Sequence, residues 1–116
     1  MQMHISPLDE RVLKVTLTGR LDTQGVDSIE TSFVSAIVPG KKNVVVDLSR
    51  VSFVASMGIR LLVSTAQKLR QERTLLVIYG APALVRQVFD AVSLHKILPI
   101  CSSETEALAA VTAQSV

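Results

Sequence analysis

The chain opens with short segments in which apolar and polar residues alternate. Leu13, Val15 and Leu17 are separated by polar residues, which is the period-two pattern of a strand with one buried face. Residues 3–7 form a candidate strand before it, and residues 7–10 combine a proline with acidic residues in a turn-like stretch. The pattern predicts an antiparallel hairpin at one edge of a sheet.

A helical period follows the hairpin. Asp22 or Thr23 is a suitable N-cap, and Pro39-Gly40 ends the pattern. Apolar residues three or four positions apart predict one buried face. Its members are Val26, Ile29, Phe33, Val34 and Ile37.

The middle of the chain predicts two buried strands around a second helix. Residues 44–46 are three consecutive valines closed by Asp47, which is typical of a central strand covered on both faces. The helix is predicted from about Ser56 to Gln71, and residues 75–79 form the next strand. The predicted apolar face of the helix is Ile59, Leu62, Val63, Ala66 and Leu69.

Two further helices and an edge strand complete the prediction. Pro82 fits the first turn of a third helix, and residues 97–100 fit an edge strand because Pro99 lacks an N–H. Ser103 and Glu106 form a capping box that opens the last helix, whereas residues 112–116 are expected to fray. The inward residues are predicted to be Leu84, Val85, Val88 and Phe89 in the third helix, and Leu108 and Val111 in the fourth.

The resulting order, ββαβαβαβα, predicts an α/β fold. Alternating strands and helices favour a mixed, mostly parallel sheet of four to five strands with about four helices packed on it. A length of 116 residues suits one domain, so residues 1–116 are interpreted as a single unit.

Composition narrows the class of protein. With 48% hydrophobic and 19% charged residues the chain is globular, and 3% aromatic residues argue against stacking platforms for single-stranded nucleic acid. The single cysteine, Cys101, excludes an intramolecular disulfide and a cysteine-built zinc site. No apolar run approaches the ~20 residues of a membrane span, and the N-terminus does not resemble a signal peptide. We expect a soluble, cytoplasmic protein without membrane insertion.

Positive charge is concentrated in the middle of the chain. The net charge is +2, but residues 41–73 contain seven basic and two acidic residues. The predicted outer face of the second helix is Arg60, Ser64, Gln67, Lys68 and Gln71. This face is either a docking surface for an acidic partner or an ordinary solvated face. Nucleic acid is disfavoured because charges at both ends of one helix do not form a continuous groove.

Catalytic and metal-binding patterns are missing from the sequence. His4 and His95 lie in unrelated contexts, and there is no nucleophile elbow, Walker loop or dinucleotide motif. Asp47 ends a strand as a receiver-domain phosphoacceptor does, but the acidic pair after the first strand is lacking. We therefore expect Asp47 to accept hydrogen bonds from the loop leading to Ser56, and Cys101 to be a small buried hydrophobe. No enzymatic activity, cofactor or metal is predicted.

Ser56 is the main candidate for a functional residue. It is predicted where a loop becomes a helix, with Gly58 opening the first turn and Arg60 one turn further on. Phosphate on this hydroxyl would add about −1.5 to −2 charges at the positive end of a helix dipole. The alternative is that Ser56 is only an N-cap.

Two stretches of the sequence resemble STAS domains, the family of the anti-sigma factor antagonists. Residues 44–62, VVVDLSRVSFVASMGIRLL, are similar to the central motif of the family, and residues 19–22, GRLD, are similar to the segment that opens its first helix. The resemblance extends to the predicted strand order and length.

The resemblance implies a switch based on serine phosphorylation. The serine matching Ser56 is phosphorylated by a partner that is both anti-sigma factor and kinase, and a phosphatase reverses the modification. The unphosphorylated form binds that partner, the aspartate matching Asp22 lies near the serine, and the helix beginning at Ser56 provides much of the docking surface. Gly58, Arg60, Ser64 and Gln67 are the corresponding partner-binding candidates.

The sequence departs from the family pattern beside the serine. Ala55 stands where an aspartate is usual, and Met57 stands where small residues are common. Ala55 either changes partner specificity or indicates a non-phosphorylated accessory subunit, as in a lipid-transport ABC complex. A separate alternative is a small-ligand or nucleotide sensor that uses the strand ends near Gly19, Asp22 and Tyr79. Whether the protein forms a homodimer stays open as well.

Overall fold

The computed structural model describes residues 1–114 and confirms the predicted element order among them. The strands are β1 (Gln2–Pro7), β2 (Val12–Leu21), β3 (Asn43–Val54), β4 (Leu76–Tyr79) and β5 (Ile100–Cys101). The helices are α1 (Thr23–Ile37), α2 (Ser56–Gln71), α3 (Ala83–Ala91) and α4 (Glu104–Gln114). These elements form one α/β unit with a mixed sheet, as the sequence predicts.

The sheet follows the chain order β1-β2-β3-β4-β5. The strands β1 and β2 form the predicted antiparallel hairpin at one edge, and the other neighbouring pairs are parallel. Each parallel pair is joined through a helix, because the chain must return to the same end of the sheet before the next strand begins. The carboxyl ends of β2 to β5 therefore point the same way.

Both faces of the sheet are covered at its centre. Val44 and Val46 pack with α1, α2 and α3 in the larger core, whereas Val45 packs with Val77 and α4 in a smaller core on the opposite face. Successive strand residues point to opposite faces, so a run of three valines serves both cores. The prediction of a doubly covered central strand is confirmed.

The central strand is longer than the sequence predicts. The prediction ends it near Asp47 and places a loop before Ser56, but β3 continues to Val54 and pairs with β2 as far as Leu21. Two β-bulges interrupt this ladder, so Leu48, Val51 and Val54 are buried at every third position. A period of three is neither strand-like nor helix-like, which is why the pattern suggests a loop.

Four smaller differences between the prediction and the structure concern α2, α3, α4 and β5. Leu84 is 71% exposed rather than inward, and the strand predicted at residues 97–100 is displaced to Ile100–Cys101 by a 3-10 turn at Leu94–Lys96. The buried face of α2 includes Leu61 and Thr65, whereas the predicted Ile59 and Val63 are only half-buried. Residues 112–114, expected to fray, belong to α4, and residues 115–116 lie outside the described part.

The fourth helix begins as predicted. The Glu106 N–H donates to the Ser103 hydroxyl at 3.2 Å, and the Glu106 carboxylate accepts from the Ser102 N–H at 3.0 Å. The carboxylate thus reaches one residue further back than in a standard capping box.

Candidate functional site

Ser56 is the first residue of α2, and its side chain is exposed. The N-cap is Ala55, which has no side chain able to cap, so the alternative that Ser56 is the N-cap is wrong. Within residues 1–114 no group makes a hydrogen bond with the Ser56 hydroxyl. The hydroxyl is therefore accessible at a helix start where backbone N–H groups lack intrahelical partners.

The start of α2 is held against the end of β2. Leu21 pairs with Val54 across the sheet, and the Ala55 N–H donates to the Leu21 carbonyl at 3.0 Å. A Cβ on Gly58 would lie 2.7 Å from both the carbonyl oxygen and Cγ of Leu21. The absence of a side chain at Gly58 is what allows this close approach of helix and strand.

Asp22 leaves the sheet beside Ala55 and caps α1. One carboxylate oxygen accepts from the Gly25 N–H at 2.9 Å, and the other accepts from the Arg20 Nε at 3.3 Å. The Gly25 hydrogen bond, followed by the Arg20 pair, lowers the pKa of Asp22 although desolvation opposes the shift. Asp22 and Ser56 thus both lie at the carboxyl ends of β2 and β3. The lowered pKa keeps Asp22 ionised at neutral pH.

Arg20 is not among the site residues predicted from the sequence. Its guanidinium lies over the Phe53 ring, 4.3 Å from the centroid, while its Nε reaches Asp22. Arg20 and Asp22 are two positions apart on an extended segment, so they point to the same side, and that spacing is the signal in the sequence. The guanidinium links the capping carboxylate to the end of β3.

Replacing Asp22 by Asn tests the charge of this cap. Asn caps helices about as well as Asp, so Asp22→Asn keeps the Gly25 hydrogen bond without the anion. The folded-state pKa of Asp22 lies below its ordinary value of 3.8, so the charge contributes to the free energy of unfolding above that pH and the contribution is lost as the pH falls through the folded-state pKa. We expect the parent to be the more stable protein at neutral pH.

Urea unfolding from neutral pH into strong acid measures this difference. The stabilities of the parent and Asp22→Asn should converge in strong acid, where the carboxyl group of the parent is neutral. Glu30→Gln removes an exposed carboxylate from the same helix and serves as the matched control. A gap between parent and Asp22→Asn that stays constant in strong acid would contradict the charge explanation.

The outer face of α2 follows the prediction with one change. Arg60, Gln67, Lys68 and Gln71 are exposed, but Ser64 is half-buried and its hydroxyl donates to the Leu61 carbonyl at 3.3 Å. Ser64 is therefore engaged by its own helix, and the exposed face is formed by the two cations and the two amides.

An apolar groove lies between the end of β3 and α3. It has a volume of about 500 Å³ and includes Val54, two residues before Ser56. Phe53 and Leu84 are 39% and 71% exposed, and Val92 is 50% exposed. The other lining residues are Ser52, Val85, Gln87, Val88 and Ala91. The groove could not be predicted from the sequence, because its pattern predicts Leu84 in the core and Phe53 in a loop.

The three residues proposed for a small-ligand sensor do not form one site. Tyr79 pairs with Asp47, whereas Gly19 pairs with Val51. Asp22 lies beyond Val54, seven residues along β3 from Asp47, which corresponds to about 20 Å. Strand β4 ends opposite Asp47, whereas β2 ends opposite Val54. Tyr79 and Asp22 are therefore far apart along the strand direction.

Asp47 contributes to the shape of β3. Its Oδ1 accepts from the Ser49 N–H at 2.9 Å, inside the first bulge. The expected acceptor role is present, but the donor belongs to the strand and not to a loop.

Cys101 is half-buried, and burial raises the pKa of its thiol.

Residues 1–114 contain neither a cluster of metal ligands nor a helix suited to a membrane. In that range no three or more histidine, cysteine or acidic side chains are grouped as metal ligands would be. None of the helices in the same range is both long and apolar enough to cross a membrane.

The chain matches one family of protein domains and several solved structures. The family model described as STAS domain matches residues 6–107. The Bordetella bronchiseptica protein BtrV, named as an anti-sigma factor antagonist, is 29% identical over 99 residues, covering 85% of both chains. The structure of an anti-sigma factor antagonist from Mycobacterium paratuberculosis is 27% identical with a TM-score of 0.85, covering 96% of this chain and 93% of the other.

A second similar structure is that of a phosphorylated protein. It is the Bacillus cell fate determinant SpoIIAA in its phosphorylated form, with a TM-score of 0.71 and 22% identity. The match covers 95% of this chain and 99% of SpoIIAA. At this identity the likeness concerns the fold.

Proposed function

The chain belongs to the STAS domain family, and from that premise we propose that it acts as an anti-sigma factor antagonist. In this proposal it binds an anti-sigma factor that is also a serine kinase, and phosphorylation of Ser56 ends the binding. A phosphatase would restore the binding form, and the chain itself would have no catalytic role. The observation that carries the proposal is the exposed Ser56 hydroxyl at the start of α2, which makes no hydrogen bond with any group in residues 1–114.

The helix start suits a phosphorylated side chain. The first N–H groups of a helix have no intrahelical acceptor, and the macrodipole favours negative charge there. Ala55 and Ser56 leave these donors without a side-chain cap. A phosphate on Ser56 would therefore find donors beside it, and Asp22 would face it from the end of β2.

Two surfaces near Ser56 support partner docking. The exposed face of α2 carries Arg60 and Lys68, which suits a partner with acidic side chains. The apolar groove between β3 and α3 includes Val54 and exposed Phe53, which suits an apolar segment of the same partner. Charged and apolar contacts would then surround the residue that is modified.

Phosphopeptide mapping tests the proposal. We expect mass spectrometry of the chain, isolated from its native cells, to find phosphate on Ser56 in a fraction of the molecules. Ser56→Ala should abolish that phosphopeptide, while Ser64→Ala, whose hydroxyl is bonded to its own helix, should retain it. A chain that is found bound to a kinase-like anti-sigma factor but never carries phosphate on Ser56 would contradict the switch.

Ala55 favours a second candidate, a constitutive accessory subunit of another complex. The neighbourhood of Ser56 lacks the carboxylate that the family pattern leads one to expect, and α2 starts without a side-chain cap. In that case the same helix would dock a partner such as a membrane transporter, and Ser56 would remain unmodified. The identity of the captured partner, together with the phosphopeptide map, separates the two candidates.

A further inference from the structure

A polar concavity lies on the side of the sheet that carries α4. The fourth helix packs against Val45, Val77 and Tyr79, so it covers the half of this face formed by β3 to β5. The other half is open and forms a concavity of about 720 Å³. Its lining residues are Gln2, Met3, His4, Lys14, Thr16, Thr18, Asp47, Ser49 and Arg50. Eight of these nine residues are polar, which favours a polar ligand over an apolar one.

The strand register builds a row of polar side chains across this face. His4 pairs with Thr16, Thr16 with Asp47, and Asp47 with Tyr79. Residues directly opposite one another on neighbouring strands point to the same face. The row therefore offers an imidazole, a hydroxyl, a carboxylate and a phenol in sequence, from the edge strand to the part covered by α4.

Tyr79 has a buried hydroxyl at the covered end of the row. The residue is 5% exposed, and within residues 1–114 its phenol oxygen interacts with the Lys14 ammonium, although not in good hydrogen-bond geometry. Burial raises the pKa of Tyr79, the Asp47 carboxylate raises it further, and the Lys14 ammonium opposes both. The hydroxyl thus lies beside two of the lining residues, Asp47 and Lys14, at the covered boundary of the concavity.

Arg50 supplies a free cation on the next row. It is exposed, pairs with Thr18 in the register, and makes no ion pair with any of residues 1–114. Lys14, in contrast, is bonded to Glu104 at 3.4 Å. The rows of Thr16 and Thr18 are about 7 Å apart along β2. Arg50, which can bind an anion, therefore lies about 7 Å from the Thr16 row, whose side chains can bind hydroxyl groups. A small ligand can span this distance.

We propose that this concavity binds a small polyhydroxylated phosphate, of the sugar phosphate class. The phosphate accepts hydrogen bonds from the Arg50 guanidinium and the Thr18 hydroxyl. The free oxygen of Asp47 and the His4 imidazole accept from sugar hydroxyls. The site lies on the face of the sheet that carries α4, whereas Ser56 lies at the start of α2, after the end of β3. It does not depend on the function proposed for Ser56.

Titration with ribose 5-phosphate, followed by NMR of the full chain, tests the site. We expect saturable shifts in β1, β2 and β3 in the millimolar range or below, with ribose or inorganic phosphate alone binding more weakly. Arg50→Gln should weaken binding of ribose 5-phosphate about tenfold, the effect of losing one charge-assisted hydrogen bond. Arg11→Gln, the same change in the turn before β2, should leave it unchanged.

Thr18→Val separates a ligand role from a structural one. The change keeps the β-branched shape of a half-buried lining residue and removes its hydroxyl, so the melting temperature should stay near that of the parent while ribose 5-phosphate binding weakens about fivefold. The proposal is overturned if the parent does not bind, or if Arg50→Gln or Thr18→Val binds as tightly as the parent. Equal affinity for inorganic phosphate and ribose 5-phosphate would overturn the assignment to the sugar phosphate class.

Discussion

Ser56→Asp is expected to lower the affinity for the partner anti-sigma factor at least about tenfold, and phosphoserine at the same position to lower it more. A phosphate adds about −1.5 to −2 charges, whereas Asp adds one. In either case an anion would stand between the cationic face of α2 and the acidic surface expected on the partner. Ser56→Ala adds neither charge nor bulk, and it should bind like the parent but escape regulation.

Loss of folding cannot explain this expected result. An acidic side chain in the first turn of a helix interacts favourably with the macrodipole, so Ser56→Asp should match or exceed the thermal stability of the parent. Lower affinity together with unchanged melting would place the effect in the interface. Calorimetry with the purified partner, alongside thermal unfolding of each variant, gives both quantities.

Ser35→Asp is the matched control for added charge. Ser35 is exposed in α1, thirteen residues from the Asp22 cap, which corresponds to about 20 Å along the helix. Ser35→Asp changes the net charge by the same amount as Ser56→Asp, but at the opposite end of the sheet. Equal affinity losses for Ser35→Asp and Ser56→Asp would indicate a nonspecific charge effect and refute a local switch.

The strand order and the position of Ser56 can be predicted from the sequence because both follow local rules. Alternation in β2, the valine run of β3 and the helical period of α1 each match one structure, and their order determines a mixed sheet. Ser56 begins α2 in the structure as in the prediction. Its lack of a capping role could not be predicted, since Ser is a common N-cap and only the backbone shows that Ala55 occupies that position.

The parts that could not be predicted depend on pairing between distant segments. The bulges of β3 are defined by its register with β2, and they carry the strand beyond β4 to the start of α2. The stacking of Arg20 on Phe53 and the polar row from His4 to Tyr79 arise from the same register. A sequence pattern describes which faces are apolar, but it does not fix which residue of one strand lies opposite which residue of another.

Gly58→Ala is expected to destabilise the protein by about 2 kcal/mol, because the new methyl group meets backbone as well as side chain. Its Cβ would lie 2.7 Å from the Leu21 carbonyl oxygen, which cannot rotate away as a side chain can. Ala is favoured over Gly in a helix by up to about 1 kcal/mol, and this gain offsets only part of the overpacking. The remaining strain should move the start of α2 away from β2.

Gly40→Ala provides the control, because a Cβ at Gly40 would meet its nearest neighbours at 3.7 Å or more. It should leave the free energy of unfolding within about 0.5 kcal/mol of the parent, as measured by urea denaturation. Because Gly58 is two residues from Ser56, we also expect Gly58→Ala to weaken partner binding under conditions in which it is still fully folded. If Gly58→Ala were as stable as Gly40→Ala, the contact between Leu21 and Gly58 would not be what positions Ser56, and the proposed site would have to rest on the hydrogen bond from Ala55 to Leu21 alone.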